Sequence, residues 1–298
     1  MNIFVRVAEE QSFAAAARSL NISPAAVTRT IAQLEDIIGA RLLARTTRSV
    51  TMTEAGSRYY ADCKRLLADL QEVEAAAGGA YAKPSGMLTI TAPVQFGQMH
   101  VAPIVARYLD AYPDMRARLL VFDRIVNIVE EGIDLAVRIG HLADSSLSAI
   151  RVGQVRQIVC ASPDYFERHG TPQTPADLNN FQIIATTGSS APLDWQFKSP
   201  DGNGRKIHVS PDARWQTNSI DAARNAAIDG WGITRLLSYQ AAPFIADGRL
   251  QPVLNAYGLD PYPIHLVHPE GRNAPAKVRG FIDLAVDILR ANPAFEFS

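Results

Sequence analysis

The chain has 298 residues, nearly half of them apolar and a fifth charged, with a net charge of −1. That length is too great for one small core and suits two or three domains, and the near-neutral balance excludes a basic surface over the whole molecule. Two cysteines far apart in sequence, Cys63 and Cys160, point to a reducing compartment without a disulfide framework, and six scattered histidines show no metal-ligand spacing. The opening MNIFVRVAEE lacks the long apolar core of a signal peptide, and no apolar run suffices to span a bilayer. A cytoplasmic protein without a membrane partner, metal or cofactor is expected.

The first ten residues predict a helix that turns Ile3, Phe4, Val7 and Ala8 inward. Residues 12 to 39 then read as two short helices around a sharp turn. Ser12 is a good N-cap, and the alanines from Ala14 to Ala17 let another helix approach closely. Asn21 tolerates the left-handed turn, Ser23 caps the second helix, Pro24 suits its first position and Gly39 closes it. Val27, Ile31, Leu34 and Ile38 make its buried stripe. The opposite face carries Ala25, Ala26, Thr28, Arg29 and Thr30, small enough to enter a major groove and able to bond phosphates or base edges. The pattern allows a DNA-binding helix-turn-helix and, equally, a surface helical hairpin.

Residues 40 to 53 favour the first reading. Leu42, Leu43, Val50 and Met52 fit a two-stranded wing around the basic centre Arg45-Thr46-Thr47-Arg48. Between residues 11 and 60, six arginines face three carboxylates, so the net charge there is +3 although the chain as a whole is nearly neutral. Candidate DNA contacts are Ser12, Ser23, Ala25, Thr28, Arg29, Arg45, Thr47 and Arg48.

The run SFAAAARSL…SPAAVTRTIAQLEDIIGARLLART…VTMTEAG resembles the winged helix-turn-helix of LysR-type transcriptional regulators, almost without gaps. It departs from that pattern at Leu43, where the family often has Phe, and at Thr28, where Ser is usual. In the family several residues precede the first helix, so its first turn is expected to fray. The resemblance implies double-stranded promoter DNA as partner, read at a partly palindromic site by a homodimer or homotetramer, with RNA polymerase a candidate partner.

From Thr53 to about Ala80, Tyr59, Cys63, Leu66, Leu70, Val73 and Ala77 recur at heptad spacing. They fit a dimer seam, the role of the family's linker helix, or an amphipathic helix packed on its own domain. AKPSG at residues 82 to 86 is a hinge by composition. Strands and helices then alternate, from MLTITA through RARLLVF, the expected helix NIVEEG, DLAVRIG and RQIVCAS to PIHLVH and a last helix KVRGFIDLAVDILR. That order predicts parallel sheets. With YLDAYP, EEGIDLAVRIG, IDGWGI and ADGRLQPVL it resembles the effector domain of LysR-type regulators, which shares the two-lobed α/β fold of type II periplasmic binding proteins. The expected fold is multidomain: an all-α winged helix-turn-helix head at 1–56, a linker helix at 57–82 and an α/β effector domain at 83–298. Lobe I would hold about 87–162 and 268–298, and lobe II about 163–267.

A small effector belongs between such lobes, beyond the carboxyl ends of strands, where helix N-termini favour an anion. The candidate contacts are Thr91, Pro93, Val94, Gln95, Arg138, Thr217, Asn218 and Ser219. No G-x-S-x-G, P-loop, paired metal histidines or dinucleotide turn is present. His265 and His268 should point to opposite faces of a strand, and Asp134 with Glu130-Glu131 reads as a turn, not a catalytic dyad. An enzyme is therefore not expected. A solute-binding transport component, the other class with this core, would need export and no DNA-binding head.

Overall fold

Local capping builds the head. In the computed structural model, which describes residues 1–45, 50–77, 83–142, 147–186, 194–201, 204–269 and 274–295, helices α1 (Asn2–Glu10), α2 (Phe13–Ser19) and α3 (Pro24–Ile38) precede the strands β1 (Leu43–Arg45) and β2 (Val50–Met52). The Ser12 hydroxyl accepts the Ala15 N–H, and that of Ser23 accepts the Ala26 N–H, both at 3.2 Å. Asn21 takes a φ of 55° in the turn, and Gly39 ends α3 at a φ of 72°. β1 and β2 pair antiparallel. Helix α4 (Glu54–Ala77) follows, its start set by Thr53, whose Oγ1 accepts the Gly56 N–H at 2.9 Å.

The head core gathers Phe4, Val7, Ala16, Val27, Ile31, Leu42 and Leu43. It departs from the expected stripe of α3 at two places. Ile38 is exposed, and Glu35 is buried in the stripe instead. Glu35 lies on the 27–31–35 line, and its Oε1 accepts the backbone N–H groups of Leu42 at 2.7 Å and Leu43 at 3.0 Å. The carboxylate thus satisfies the donors of the chain entering the wing.

Contacts divide the chain into two compact units, 1–83 and 84–298. The second contains two five-stranded sheets. Its first lobe begins with β3 (Gly86–Ala92), α5 (Val94–Phe96), a π-helical turn (Gly97–Val101), α6 (Ala102–Ala111), β4 (Met115–Val121), β5 (Leu135–Ile139) and β6 (Ser148–Val155). The second lobe holds β7 (Gln157–Ala161), α7 (Pro163–His169), β8 (Ile183–Thr186), the hairpin β9 (Trp195–Lys198) and β10 (Lys206–Val209), β11 (Trp215–Thr217), α8 (Ile220–Ile228), β12 (Ile233–Leu237), α9 (Ser238–Ala246) and β13 (Gln251–Val253). The chain returns to lobe I through β14 (Tyr262–His268) and α10 (Ala276–Arg290). Sheet order is β4-β3-β5-β14-β6 in lobe I and β11-β8-β12-β7-β13 in lobe II.

Three expectations change here. The sheets are mixed: β3 runs parallel to β4 and β5, but β14 runs antiparallel to β5 and β6, and β7 antiparallel to β12 and β13. Each sheet is completed by a strand arriving from the other lobe, and such a strand need not keep the βαβ direction. The crossings therefore lie between Val155 and Gln157 and between Val253 and Tyr262, so β7 belongs to lobe II and β14 to lobe I, inside the boundaries read from sequence. NIVEEG forms turns, not a helix. Gly132 adopts a φ of 62°, and the Ile133 N–H bonds the Ile128 carbonyl at 2.9 Å. This tucks Val126, Ile128 and Ile133 against the sheet. The strand Ser148–Val155 had no counterpart in the sequence reading.

Candidate functional sites

The helix-turn-helix presents an exposed surface on α3. Ala25, Thr28 and Arg29 are exposed there. The Thr28 Oγ1 donates back to the Pro24 carbonyl at 3.0 Å, and the hydroxyls of Ser12 and Ser23 are held in caps. Arg29 is thus the extended cationic group of this face. Thr47 and Arg48, and the side chain of Arg45, lie outside the described residues.

The expected seam along α4 divides in two. Tyr59 is half-buried with its ring 5.4 Å from that of Phe4, and Cys63 is fully buried in the head core, so Cys63 is not free for a partner chain. The helix is α-helical with a 3.6-residue turn, and its first half is used up closing its own domain. Leu66 and Leu70 are 50% and 52% exposed. The side chain of Val73 lies outside the described residues.

In the second unit a cleft of about 1170 Å³ separates the lobes. Thr91, Pro93, Val94, Gln95 and Arg138 line it from lobe I and Asn218 from lobe II. Thr217 and Ser219 do not. The Thr217 Oγ1 accepts the Ser219 N–H at 3.0 Å, and the Ser219 hydroxyl caps α8 through the Ala222 N–H at 3.2 Å. Helix-start residues resemble ligand contacts because both tasks need the same hydroxyl.

Hydrogen bonds set the lobe I wall. Asp123 accepts the Val94 N–H at 3.0 Å, and Arg138 donates from Nη2 to the Val126 carbonyl at 2.7 Å. Gln95 reaches across to lobe II, donating from Nε2 to the Asp221 Oδ1 at 2.6 Å, while Arg224 bonds the same carboxylate. The carboxylate partner fixes the amide orientation, and the Gln95 Oε1 is buried with no donor among the described residues.

Sequence reading missed Arg235, Tyr239 and Tyr262, all in the cleft wall. Arg235 sits over the Trp195 ring at 4.9 Å, and burial draws its pKa down to about 10. Burial pushes the Tyr239 phenol up. The alternation of Ile233, Arg235 and Leu237 along one strand carried a signal, but its meaning depends on what lies across the cleft.

Among the described residues no group of three or more His, Cys, Asp or Glu could hold a metal, and no helix is long and apolar enough to cross a membrane. Asp134 forms a buried ion pair with Lys277 at 2.9 Å, and Glu131 pairs with Arg124 at 2.9 Å. Cys160 is buried and its thiol is pushed up to about 12.

Residues 1–57 match the model of the bacterial regulatory helix-turn-helix protein, lysR family, and residues 82–290 match that of the LysR substrate binding domain. An HTH-type transcriptional repressor of Pseudomonas aeruginosa is 32% identical over 300 residues, covering 100% of this chain and 94% of that protein. The full-length structure of the Vibrio cholerae virulence activator AphB is 30% identical with a TM-score of 0.62, over 96% of this chain and 97% of that one. The structure of CrgA, a LysR-type transcriptional regulator from Neisseria meningitidis, is likewise 30% identical with a TM-score of 0.62, over 97% of each chain.

Proposed function

Because the chain belongs to the LysR family of transcriptional regulators, with a DNA-binding head and an effector-binding domain, we propose how its own residues divide the work. Arg29 reads a base edge from the exposed face of α3, with Ala25 and Thr28 allowing close approach. Arg45, Thr47 and Arg48 meet the backbone beside it. Leu66, Leu70 and Val73 form the seam of a homodimer, within a tetramer, in the cytoplasm. A small effector binds between Thr91, Gln95 and Arg138 on lobe I and Asn218 on lobe II, and RNA polymerase is contacted at the promoter. The protein acts by binding and not as an enzyme.

The observation that carries this reading is the hydrogen bond from Gln95 to Asp221, which joins the two lobes across the cleft. A ligand entering beside it alters the balance between closed and open lobes, and so the spacing of the heads. Coupling of about 1–3 kcal/mol is typical, and DNA must change effector affinity by the same factor. The relatives include a repressor and an activator, so the sign of regulation follows from the promoter tested.

The test pairs a promoter reporter with a gel shift on the upstream DNA. Thr91→Ala and Asn218→Ala should blunt the effector response while leaving effector-free DNA binding intact. Arg29→Ala should weaken DNA binding by about 1–3 kcal/mol and relax preference at one base pair. Wild-type response in both cleft variants would place the effector elsewhere.

A further inference from the structure

The cleft contains a cation for which the described residues supply no hydrogen-bond acceptor. Arg235 is the central residue of β12, lines the cleft, and makes no hydrogen bond or ion pair with any described residue. Asp194 and the Tyr262 phenol act on it only through space, and the nearby carboxylates spend their hydrogen bonds on other groups. Asp123 holds the Val94 N–H, Asp194 holds His208 at 3.0 Å, and Asp221 holds Gln95 and Arg224. Of the other cleft arginines, Arg124 is paired with both oxygens of Glu131, and Arg138 gives one N–H to the Val126 carbonyl. The Trp195 ring, 4.9 Å away, covers a face of the Arg235 guanidinium. Such a contact attracts the charge but takes none of its five in-plane N–H donors.

A largely desolvated guanidinium is costly unless something pairs with it. Its planar fork matches a carboxylate, which two parallel N–H bonds can hold at once. Beyond the fork, the cleft wall is apolar at Val121, Phe122, Ile125, Val137, Ile139 and Leu237. We propose that Arg235 holds the charged group of the effector, and that the effector is an organic carboxylate with an apolar body. This rests on the reading of the cleft as the effector site. It adds the ligand class and puts the charge anchor on lobe II, so that binding draws a lobe II cation and a lobe I apolar wall onto one molecule.

The test uses the full-length protein and thermal unfolding with a fixed panel: acetate, benzoate, phenylacetate and hexanoate, each against its uncharged amide, with sulfate as the inorganic anion. At about 100 times the dissociation constant, a bound carboxylate should raise the midpoint of the effector unit by about 5–10 °C. Its amide and sulfate should not. Arg235→Met should abolish that rise and, without ligand, should melt about 2–4 °C above the wild type, because an unpaired buried charge has been replaced by an apolar chain. Arg235→Lys should retain a weakened response.

A lower ligand-free midpoint in Arg235→Met would make the residue a structural prop for Trp195 and overturn the proposal. So would equal carboxylate shifts in wild type and variant, a response to sulfate alone, or no response to any carboxylate of the panel. Thr91→Ala and Asn218→Ala, run in parallel, separate the two readings. If they lose the response and Arg235→Met keeps it, the cleft stands and the role of Arg235 falls.

Discussion

The head and the lobe II wall of the cleft both bury charge, but they treat it differently. In the head, the carboxylate of Glu35 is closed off by two backbone donors, those of Leu42 and Leu43. Lobe I does the same with an ion pair: Asp134 holds Lys277 at 2.9 Å and the Thr89 N–H at 2.6 Å, while Lys277 also donates to the Met87 carbonyl at 3.1 Å. Arg235, facing the cleft from lobe II, has the Trp195 ring over one face and feels the charge of Asp194, but among the described residues it has no hydrogen-bonded acceptor. Buried charges that hold a fold together are satisfied from within the chain. One that is left open at a cavity wall points outward, to a ligand.

That contrast can be broken first where the effect is largest. Asp134→Ala leaves the Lys277 ammonium buried without its carboxylate, and equilibrium urea unfolding should show a loss of about 3–5 kcal/mol in the effector unit. Adding Lys277→Met should restore most of it. A single variant as stable as the wild type would show that the pair is not a structural clasp.

Glu35→Ala should cost the head about 2–3 kcal/mol, since two charge-assisted bonds are lost and two backbone donors are stranded. Gel shifts should weaken while the melting of the effector unit is unchanged. Equal loss in both units would mean that they do not unfold separately.

Burial also sets a proton equilibrium. His100 sits among the rings of Phe96 at 5.0 Å, Tyr239 at 5.4 Å and Phe295 at 4.7 Å, and desolvation lowers its pKa from the ordinary 6.5. The folded state therefore holds His100 neutral while the unfolded chain takes up a proton. Stability should be intact above about pH 6.5 and fall as the pH drops through that value towards the lowered folded pKa. His100→Phe should flatten that dependence in a series of melts from pH 8 to 5. A wild-type slope in the variant would assign it to other groups.

The smallest change in fold stability belongs to the exposed half of α4. Leu70 is 52% exposed, so Leu70→Asp should shift the stability of the isolated chain by about 0.5 kcal/mol or less. Sedimentation should nonetheless show the assembly dissociating. Cys63→Asp, on the same heptad line, should unfold the head because that position is sealed in its core. Similar behaviour of the two variants would mean that α4 has one uniform role.

The head was readable because its determinants are local. Ser12, Asn21, Ser23, Pro24 and Gly39 each set the backbone within a few residues, and the observed caps and φ angles agree with those expected of them. Glu35 escaped notice because a carboxylate on a helix is ordinarily exposed. Its place on the 27–31–35 line was the available signal. In the cleft, Thr91 and Arg138 lie at the carboxyl ends of strands, and Gln95 and Asn218 just beyond such ends, a rule that sequence can apply. Thr217 and Ser219 satisfied the same rule and went instead to capping α8.

By itself, then, the sequence determined the helix-turn-helix, the long helix after the wing, the two α/β lobes and the family to which they belong, because capping, periodicity and composition act over short separations. Tertiary structure decided which strand belongs to which lobe, since β7 and β14 are placed by chain crossings at Val155–Gln157 and Val253–Tyr262 and not by their own residues. It also decided that Cys63 closes a core while Leu70 stays open, and that Arg235 faces a cavity without a hydrogen-bonded acceptor among the described residues. Burial and pairing depend on what other elements bring near, and residues 100 or more positions apart meet only when the sheets have formed.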